Sequence, residues 1–233
     1  MTNSHPLIPL KIFQTWHTKD LPLKMRERVE ELKACNPEFE HQLFDDNDCR
    51  EFIKNNYNED ILNAYDSLIP GAYKADLWRY CILYKYGGIY MDIKLKCING
   101  FKLIELTNFN HYVKDRIGPL SIYNALIVCQ PSSPLLWKAI YRIVINVKAN
   151  YYGHSALDPT GPVLLGNIIL RNKNKLKPNI DLIHHKNGGY IIYKNKFVIS
   201  TEYHEYNNER AQIYSILNTK RYDKLWDERK IYR

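Results

Sequence analysis

Apolar residues along this chain switch between a period of two and a period near 3.6, and the switches mark its elements. Residues 10–16, LKIFQTW, form a short apolar run ending in polar residues, which predicts a buried strand. In 22–33, Leu23, Arg26, Val29 and Glu30 fall on neighbouring turns and Pro22 suits a first helical position, so a helix is predicted. Residues 39–44 alternate and predict a strand. Residues 45–48, all Asp or Asn, supply N-cap chemistry for a helix through Ile53, and 59–68 predicts another short helix. The strongest helical pattern is 70–86, with Leu77, Tyr80, Cys81 and Tyr84 at i, i+3, i+4 and i+7. Gly87-Gly88 ends it, because glycine accepts the left-handed conformation of a helix C-cap, and 89–93 follows as a strand. Further strands are predicted at 111–114, 122–129, 180–184, 189–193 and 196–200, and helices at 134–149 and 162–170. Residues 171–179, RNKNKLKPN, read as a solvated connection. Strands alternate with helices early and cluster late. That order predicts an α/β fold: a central mixed, mainly parallel sheet flanked by helices, with antiparallel edges.

Length and composition fit this picture. A chain of 233 residues, 45% hydrophobic, suits one domain over 1–233, and a charged fraction of 25% excludes wholesale disorder. The formal charge of +8 invites an anionic partner: nucleic acid, an acidic membrane surface or a phosphorylated small molecule. Abundant Lys, Asn, Ile and Tyr also fit A/T-rich codons, which weakens the charge argument. The dense basic run Arg171, Lys173, Lys175, Lys177 lacks interleaved aromatics, and no nucleic-acid fold motif appears, so a nucleic-acid partner is not expected. No segment approaches the roughly 20 apolar residues that span a bilayer; 139–147 is broken by Arg142 and Asn146. The start, MTNSHPLIPLKIF, lacks the features of a secretory signal, and five scattered cysteines suit reduced thiols. The expectation is a soluble cytoplasmic protein.

Residues 72–92, AYKADLWRYCILYKYGGIYMD, carry most of the chemistry. On a helix, Asp76 and Arg79 are neighbours, and Tyr73, Asp76 and Tyr80 share a face. The glycine pair turns the chain into a strand on which Tyr90, Asp92 and Lys94 point one way, Met91 and Ile93 the other. Asp92 and Lys94 then sit at the carboxyl end of a strand, where open α/β sheets bind ligands. The plain alternatives are a helix-surface ion pair for Asp76 and Arg79, worth a few tenths of a kcal/mol, and a turn cap for Asp92.

This segment resembles the sugar-binding region with the DXD motif of glycosyltransferase family 32. That family includes yeast α-1,6-mannosyltransferase-like enzymes and capsular polysaccharide transferases. Its helix pattern S/A-D-x-x-R-Y followed by G-G-I-Y-x-D-x-D stands here as Ala75-Asp76-Leu77-Trp78-Arg79-Tyr80 and Gly87-Gly88-Ile89-Tyr90-Met91-Asp92-Ile93-Lys94. Ile12-Phe13-Gln14-Thr15-Trp16 is similar to the family's I-x-Q-T-W strand. Asn36-Pro37-Glu38-Phe39-Glu40 is similar to its N-P-x-(Y/F)-E turn, and Asn124-Ala125 and Thr160-Gly161-Pro162 match later motifs. The matches run in the family's order over about residues 8–170.

The resemblance implies a GT-A type fold and a retaining glycosyltransferase. Such an enzyme moves a sugar from a UDP- or GDP-sugar to a glycan or other hydroxyl acceptor. It implies donor contacts from Gln14, Thr15, Trp16, Tyr73, Asp76, Arg79, Tyr90, Asp92, Asn124, Thr160, Gly161, Pro162 and His204. Asp76, Arg79, Asp92 and Lys94 are the catalytic candidates. It also implies that residues 180–233 close over the donor site, with His204 or Trp226 as candidates, although edge packing is the default for both. Thr160 also suits a helix N-cap. Family members usually hold a divalent metal, Mn2+ or Mg2+, with the DXD carboxylates. Here Lys94 occupies the second Asp position, so the metal is in doubt. Either Asp92 binds it with water and phosphate oxygens, or the Lys94 ammonium pairs with the diphosphate directly. His184-His185 is not expected to form a metal site, since neighbouring strand residues point to opposite faces. Two alternatives stay open: a non-catalytic sugar-nucleotide-binding relative, and a basic nucleic-acid-binding protein.

Overall fold

Nine strands pair into one twisted sheet in a computed structural model, which describes residues 6–233. The absence of a leader was read partly from residues 1–5, which lie outside the described residues. The first half of the chain runs β1 (Lys11–Thr15), α1 (Leu23–Cys35), β2 (Glu40–Phe44), α2 (Asp46–Asn56), α3 (Glu59–Ser67), α4 (Gly71–Tyr86), β3 (Gly88–Met91) and β4 (Lys96–Cys97). A 3-10 turn at Leu103–Leu106 leads to β5 (His111–Lys114), β6 (Ile122–Cys129), α5 (Pro134–Lys148), α6 (Pro162–Arg171) and the single turn α7 (Lys173–Leu176). The chain ends with β7 (Leu182–His184), β8 (Tyr190–Tyr193), β9 (Lys196–Ser200), α8 (Tyr206–Ile216) and α9 (Tyr222–Asp227).

The strand order is β2-β1-β3-β6-β5-β7-β8-β9-β4. The sheet is mixed, as expected, but mainly parallel is corrected: only β1–β2, β1–β3 and β5–β7 pair in parallel. Parallel neighbours need a crossover connection, and helices supply one only between these pairs. From β7 to β9 no helix intervenes. The strands return through tight turns, the β8–β9 turn placing Lys194 and Asn195 at φ 48° and 63°. The expected loop at 171–179 contains α7. Helices α8 and α9 were not anticipated.

Alternate strand residues feed two cores. Phe13, Tyr90, Ile127 and Cys129 pack against the α2–α6 layer. Ile12, Ile89, Met91, Leu126 and Val128 pack on the other face, against Leu32 of α1 and the Leu103–Leu106 turn. Helix α1 turns Met25, Val29 and Leu32 inward, whereas Leu23 is 66% exposed, because Pro22 caps the helix instead of opening it. Asp45 and Asp48 cap α2 reciprocally. Helix α4 is buried on all sides, from Asp76 through Leu83, as suits a central helix. Gly87 ends it at φ 63°, and Gly88 continues at φ 100°, where an added Cβ would lie 2.7 Å from the Lys11 carbonyl oxygen.

One feature of the β1–β2 pair makes stability depend on pH. His41 meets the Oε1 of Gln14 at 2.8 Å, and burial lowers its pKa from 6.5 to about 4. Above pH 6.5 the imidazole is neutral in both folded and unfolded chains. Between pH 6.5 and 4 only the unfolded chain takes up the proton, so stability falls with pH, by on the order of 3 kcal/mol at pH 4. Urea denaturation across this range should show a smaller acid loss for His41→Asn than for the natural protein. Equal losses would contradict the assignment.

Candidate functional site

A cavity of about 260 Å³ opens beyond the carboxyl ends of β1 and β3. Segments from along the whole chain supply its walls, beginning with Thr15, Trp16 and His17 after β1 and Tyr73, Asp76 and Arg79 on α4. Tyr90, Asp92 and Lys94 come next, then Tyr123 and Asn124 on β6, then Gly161 and Pro162 at the start of α6. Tyr206, Arg210, Tyr214 and Tyr222 close the far side from α8 and α9.

The centre is a buried polar network. Asp76 and Arg79 are 7% and 6% exposed, and Arg79 Nη2 stands 3.4 Å from Asp76 Oδ1, so they are no surface ion pair. Asp76 accepts hydrogen bonds from Asn124 Nδ2 at 2.9 Å and the Thr160 hydroxyl at 2.7 Å. Arg79 donates to the Asn124 carbonyl at 2.8 Å and lies 4.2 Å above the Tyr90 ring. The Tyr90 hydroxyl donates to Asp92 Oδ1 at 2.7 Å, and Arg79 Nη1 is 3.4 Å from the same oxygen. Burial raises the pKa of Asp76, opposed by Arg79 and the two donors. Burial works against the charge on Arg79, but Tyr90, Asp76 and Asp92 more than offset it, and its pKa is raised. Burial also holds the Tyr90 phenol protonated, as its donor role requires. The network fixes Asn124 and Asp92, and leaves Asp92, with 25% of its side chain exposed, at the cavity surface.

Strand β3 ends at Met91, so Asp92 and Lys94 stand in the turn that follows it. Lys94 Nζ lies 5.5 Å from the Tyr206 ring, and the Arg210 guanidinium lies 5.2 Å from the same ring. Two cations thus flank one aromatic side chain beside Asp92. At the β1 end, the Thr15 hydroxyl donates to the Phe44 carbonyl at 2.9 Å. The Trp16 ring packs between His17 and Tyr206, and its buried indole N–H has no hydrogen-bond partner among the described residues. His17 is held by Asp46 at 3.0 Å. A Cβ on Gly71 would come within 2.4 Å of the His17 ring, so glycine allows α4 to begin there.

Three expected donor residues stand outside the lining. Gln14 is fully buried against His41, on the side of β1 away from the cavity wall. Thr160 lies behind Asp76 and acts through it. His204 is exposed and does not line the cavity. Trp226 donates its indole N–H to the Tyr152 carbonyl, also away from the lining. The C-terminal wall is formed instead by Tyr206, Arg210, Tyr214 and Tyr222. The first three follow i, i+4, i+8 spacing on α8, a helix with little apolar periodicity to mark it in the sequence. His17 and Tyr123 were also missed. His184 pairs with Asp115 at 3.2 Å behind Tyr123, and His185 packs on Phe197.

The donor set does not fit a metal held by the protein. Asp92 offers one carboxylate, with one oxygen already engaged, and Lys94 presents an ammonium where the DXD pattern has its second acid. No group of three or more His, Cys, Asp or Glu side chains among the described residues is placed to hold a metal ion.

A mixed α/β sheet with a cavity at its carboxyl edge, walled by the β1, α4 and post-β3 segments, is a glycosyltransferase fold of the GT-A type. Over residues 22–110 the chain matches the glycosyltransferase sugar-binding region containing the DXD motif, and the resemblance to glycosyltransferase family 32 is borne out. It is 34% identical over 190 residues to an inositol phosphoceramide mannosyltransferase of Schizosaccharomyces pombe, covering 79% of this chain and 50% of that protein. It is 29% identical over 160 residues to a mannosyl phosphorylinositol ceramide synthase of Saccharomyces cerevisiae, covering 68% of this chain and 41% of that one. The chain thus spans about half the length of the curated relatives it matches, or less. The structure of the PaToxG glycosyltransferase superposes with a TM-score of 0.55 at 17% identity, covering 71% of this chain and 70% of that one, which shows a shared fold. Among the described residues no helix is long and apolar enough to cross a membrane.

Proposed function

We propose that this chain is a retaining glycosyltransferase that moves a sugar from a nucleoside diphosphate, UDP or GDP, to a hydroxyl acceptor. The observation that carries the reading is the convergence of four distant motif segments, Thr15-Trp16, Asp76 to Arg79, Tyr90 to Lys94 and Asn124, on one cavity. Mannose is the first candidate sugar, because both curated relatives are named for its transfer. The same names make a phosphoinositol-bearing lipid the first acceptor class to try.

Each wall then has a task. Trp16 and His17 offer aromatic surfaces for the nucleobase. Asn124, Asp76 and Asp92 face the sugar, with Arg79 holding all three in place. Lys94 and Arg210 face the diphosphate, which gains negative charge as the glycosidic bond breaks. The bond from the anomeric carbon to the diphosphate oxygen breaks, and a bond to the acceptor oxygen forms on the same face. The freed diphosphate oxygen takes the acceptor proton. Lys94 at the DXD position also keeps a second reading in play, a sugar-nucleotide binder without turnover.

A thermal-shift panel of UDP- and GDP-sugars, with and without manganese, tests the reading. A donor at 100 times its Kd adds about 2.7 kcal/mol, a rise of roughly 5–10 °C for a chain of this size. No shift with any nucleotide sugar would contradict it.

A further inference from the structure

Most of the net positive charge of this protein arises in one part of the chain. Between residues 116 and 180 there are eight Lys or Arg and a single acid, Asp158, which accounts for seven of the net +8. This stretch contains α5, α6 and α7, and none of the three helices carries an Asp or Glu.

Helix α5 has two apolar faces. One, with Leu136, Ala139, Ile140 and Ile143, is buried in the core. The other presents Trp137, Tyr141 and Ile145, 41%, 61% and 37% exposed, in a line at i, i+4 and i+8. Trp137 packs in part against the Tyr84 ring at 5.1 Å, and the remaining exposed area of the stripe faces solvent. Exposed Lys138 and Arg142 run beside it, one turn apart. Lys138 Nζ donates to Asn172 Oδ1 at 2.6 Å, which joins this face to the turn carrying exposed Arg171, Lys173 and Lys175. Among the described residues a cation of this face is neutralised only at the far end, where Lys148 pairs with Asp60 at 2.8 Å.

We propose that this face docks on an anionic lipid bilayer. Trp137, Tyr141 and Ile145 enter the headgroup boundary, and Lys138, Arg142 and Lys173 face the anionic headgroups. The combination favours a bilayer for two reasons. An aromatic pair in line with an aliphatic residue, bordered by cations on a helix lying along a surface, matches the polarity gradient of a membrane interface. A nucleic acid would instead call for a groove of flat stacking platforms, and Ile145 on a convex helix offers none. The proposal does not depend on the donor or the chemistry of the cavity.

The test is sedimentation of the full chain with vesicles of phosphatidylcholine alone or mixed with phosphatidylserine. The expected result is binding to the mixed vesicles only, weakening as salt rises. Lys138→Glu with Arg142→Glu should lower that binding at least tenfold, and so should Trp137→Ser with Tyr141→Ser, with nucleotide-sugar thermal shifts unchanged. Arg171→Glu with Lys173→Glu leaves α5 intact and keeps the test decisive if the α5 variants fold poorly. No binding to phosphatidylserine vesicles, or binding equal in these variants, would overturn the proposal. So would retention of an RNA oligonucleotide by the same face in preference to vesicles.

Discussion

Replacing Arg79 by methionine is expected to destabilise the protein by on the order of 3–5 kcal/mol, lowering its melting temperature by roughly 6–20 °C. Methionine keeps most of the side-chain length, so a cavity is not the main cost. What disappears is the positive charge that Asp76 and Asp92 share, together with the donor to the Asn124 carbonyl. Asp76 stays buried with its two hydrogen bonds but no counter-charge. Its carboxyl, already raised by burial, then rises further. A carboxyl raised on folding binds its proton more tightly in the folded chain, so stability increases as pH falls through the folded value. The Arg79→Met deficit should therefore be larger at pH 8 than at pH 5. Arg50→Met is the control. Its two hydrogen bonds to Asp66 are shorter, 2.8 and 2.7 Å, but the side chains are 40% and 33% exposed, so a loss under about 1 kcal/mol is expected. Denaturant unfolding of both variants at both pH values checks this. Equal losses would show that the α4 pair is no more than a helix ion pair.

The second large effect lies at Lys94. If Lys94 and Arg210 offset the charge of the leaving diphosphate, the natural protein should turn over a nucleotide sugar in EDTA at a rate close to that with manganese. Lys94→Asp restores the second acid of the DXD pattern and removes a cation. It should lose about 10²–10³ of the EDTA rate, the cost of removing one preorganised charge-stabilising group, and regain activity when manganese is added. Arg210→Ala should lose activity in EDTA without acquiring that response to metal, because it leaves no new carboxylate. Strict manganese dependence of the natural protein, with Lys94→Asp unaltered in it, would remove Lys94 from this role.

The local parts of the site were legible because they rest on short-range geometry. Helix α4, the glycine pair and the strand leading to Asp92 follow from 3.6- and 2-residue periods and from the backbone freedom of glycine. Legibility ended at contacts across long sequence distances. Spacing alone could not tell a surface Asp76–Arg79 pair from a buried one. The partners that settle it, Asn124 and Thr160, lie 48 and 84 residues from Asp76. The sheet was read as mainly parallel because early helix–strand alternation dominates the pattern, whereas its later half is built from two hairpins, one turning on Gly188-Gly189 and the other on Lys194-Asn195, whose left-handed backbone is not signalled by glycine. The far wall of the cavity was sought in His204 and Trp226 from family resemblance. The chain placed Tyr206, Arg210 and Tyr214 there through helical spacing in α8, a helix with little apolar periodicity to reveal it.

The most direct test of the central claim is hydrolysis of nucleotide sugars by the purified chain, measured as release of UDP or GDP. GDP-mannose is the first donor to try, and Asp92→Ala and Lys94→Ala are run in parallel. The account predicts steady release from at least one donor, reduced 10²-fold or more in both variants while their melting temperatures hold. Release that is absent for every donor, or unchanged in Asp92→Ala, would contradict it.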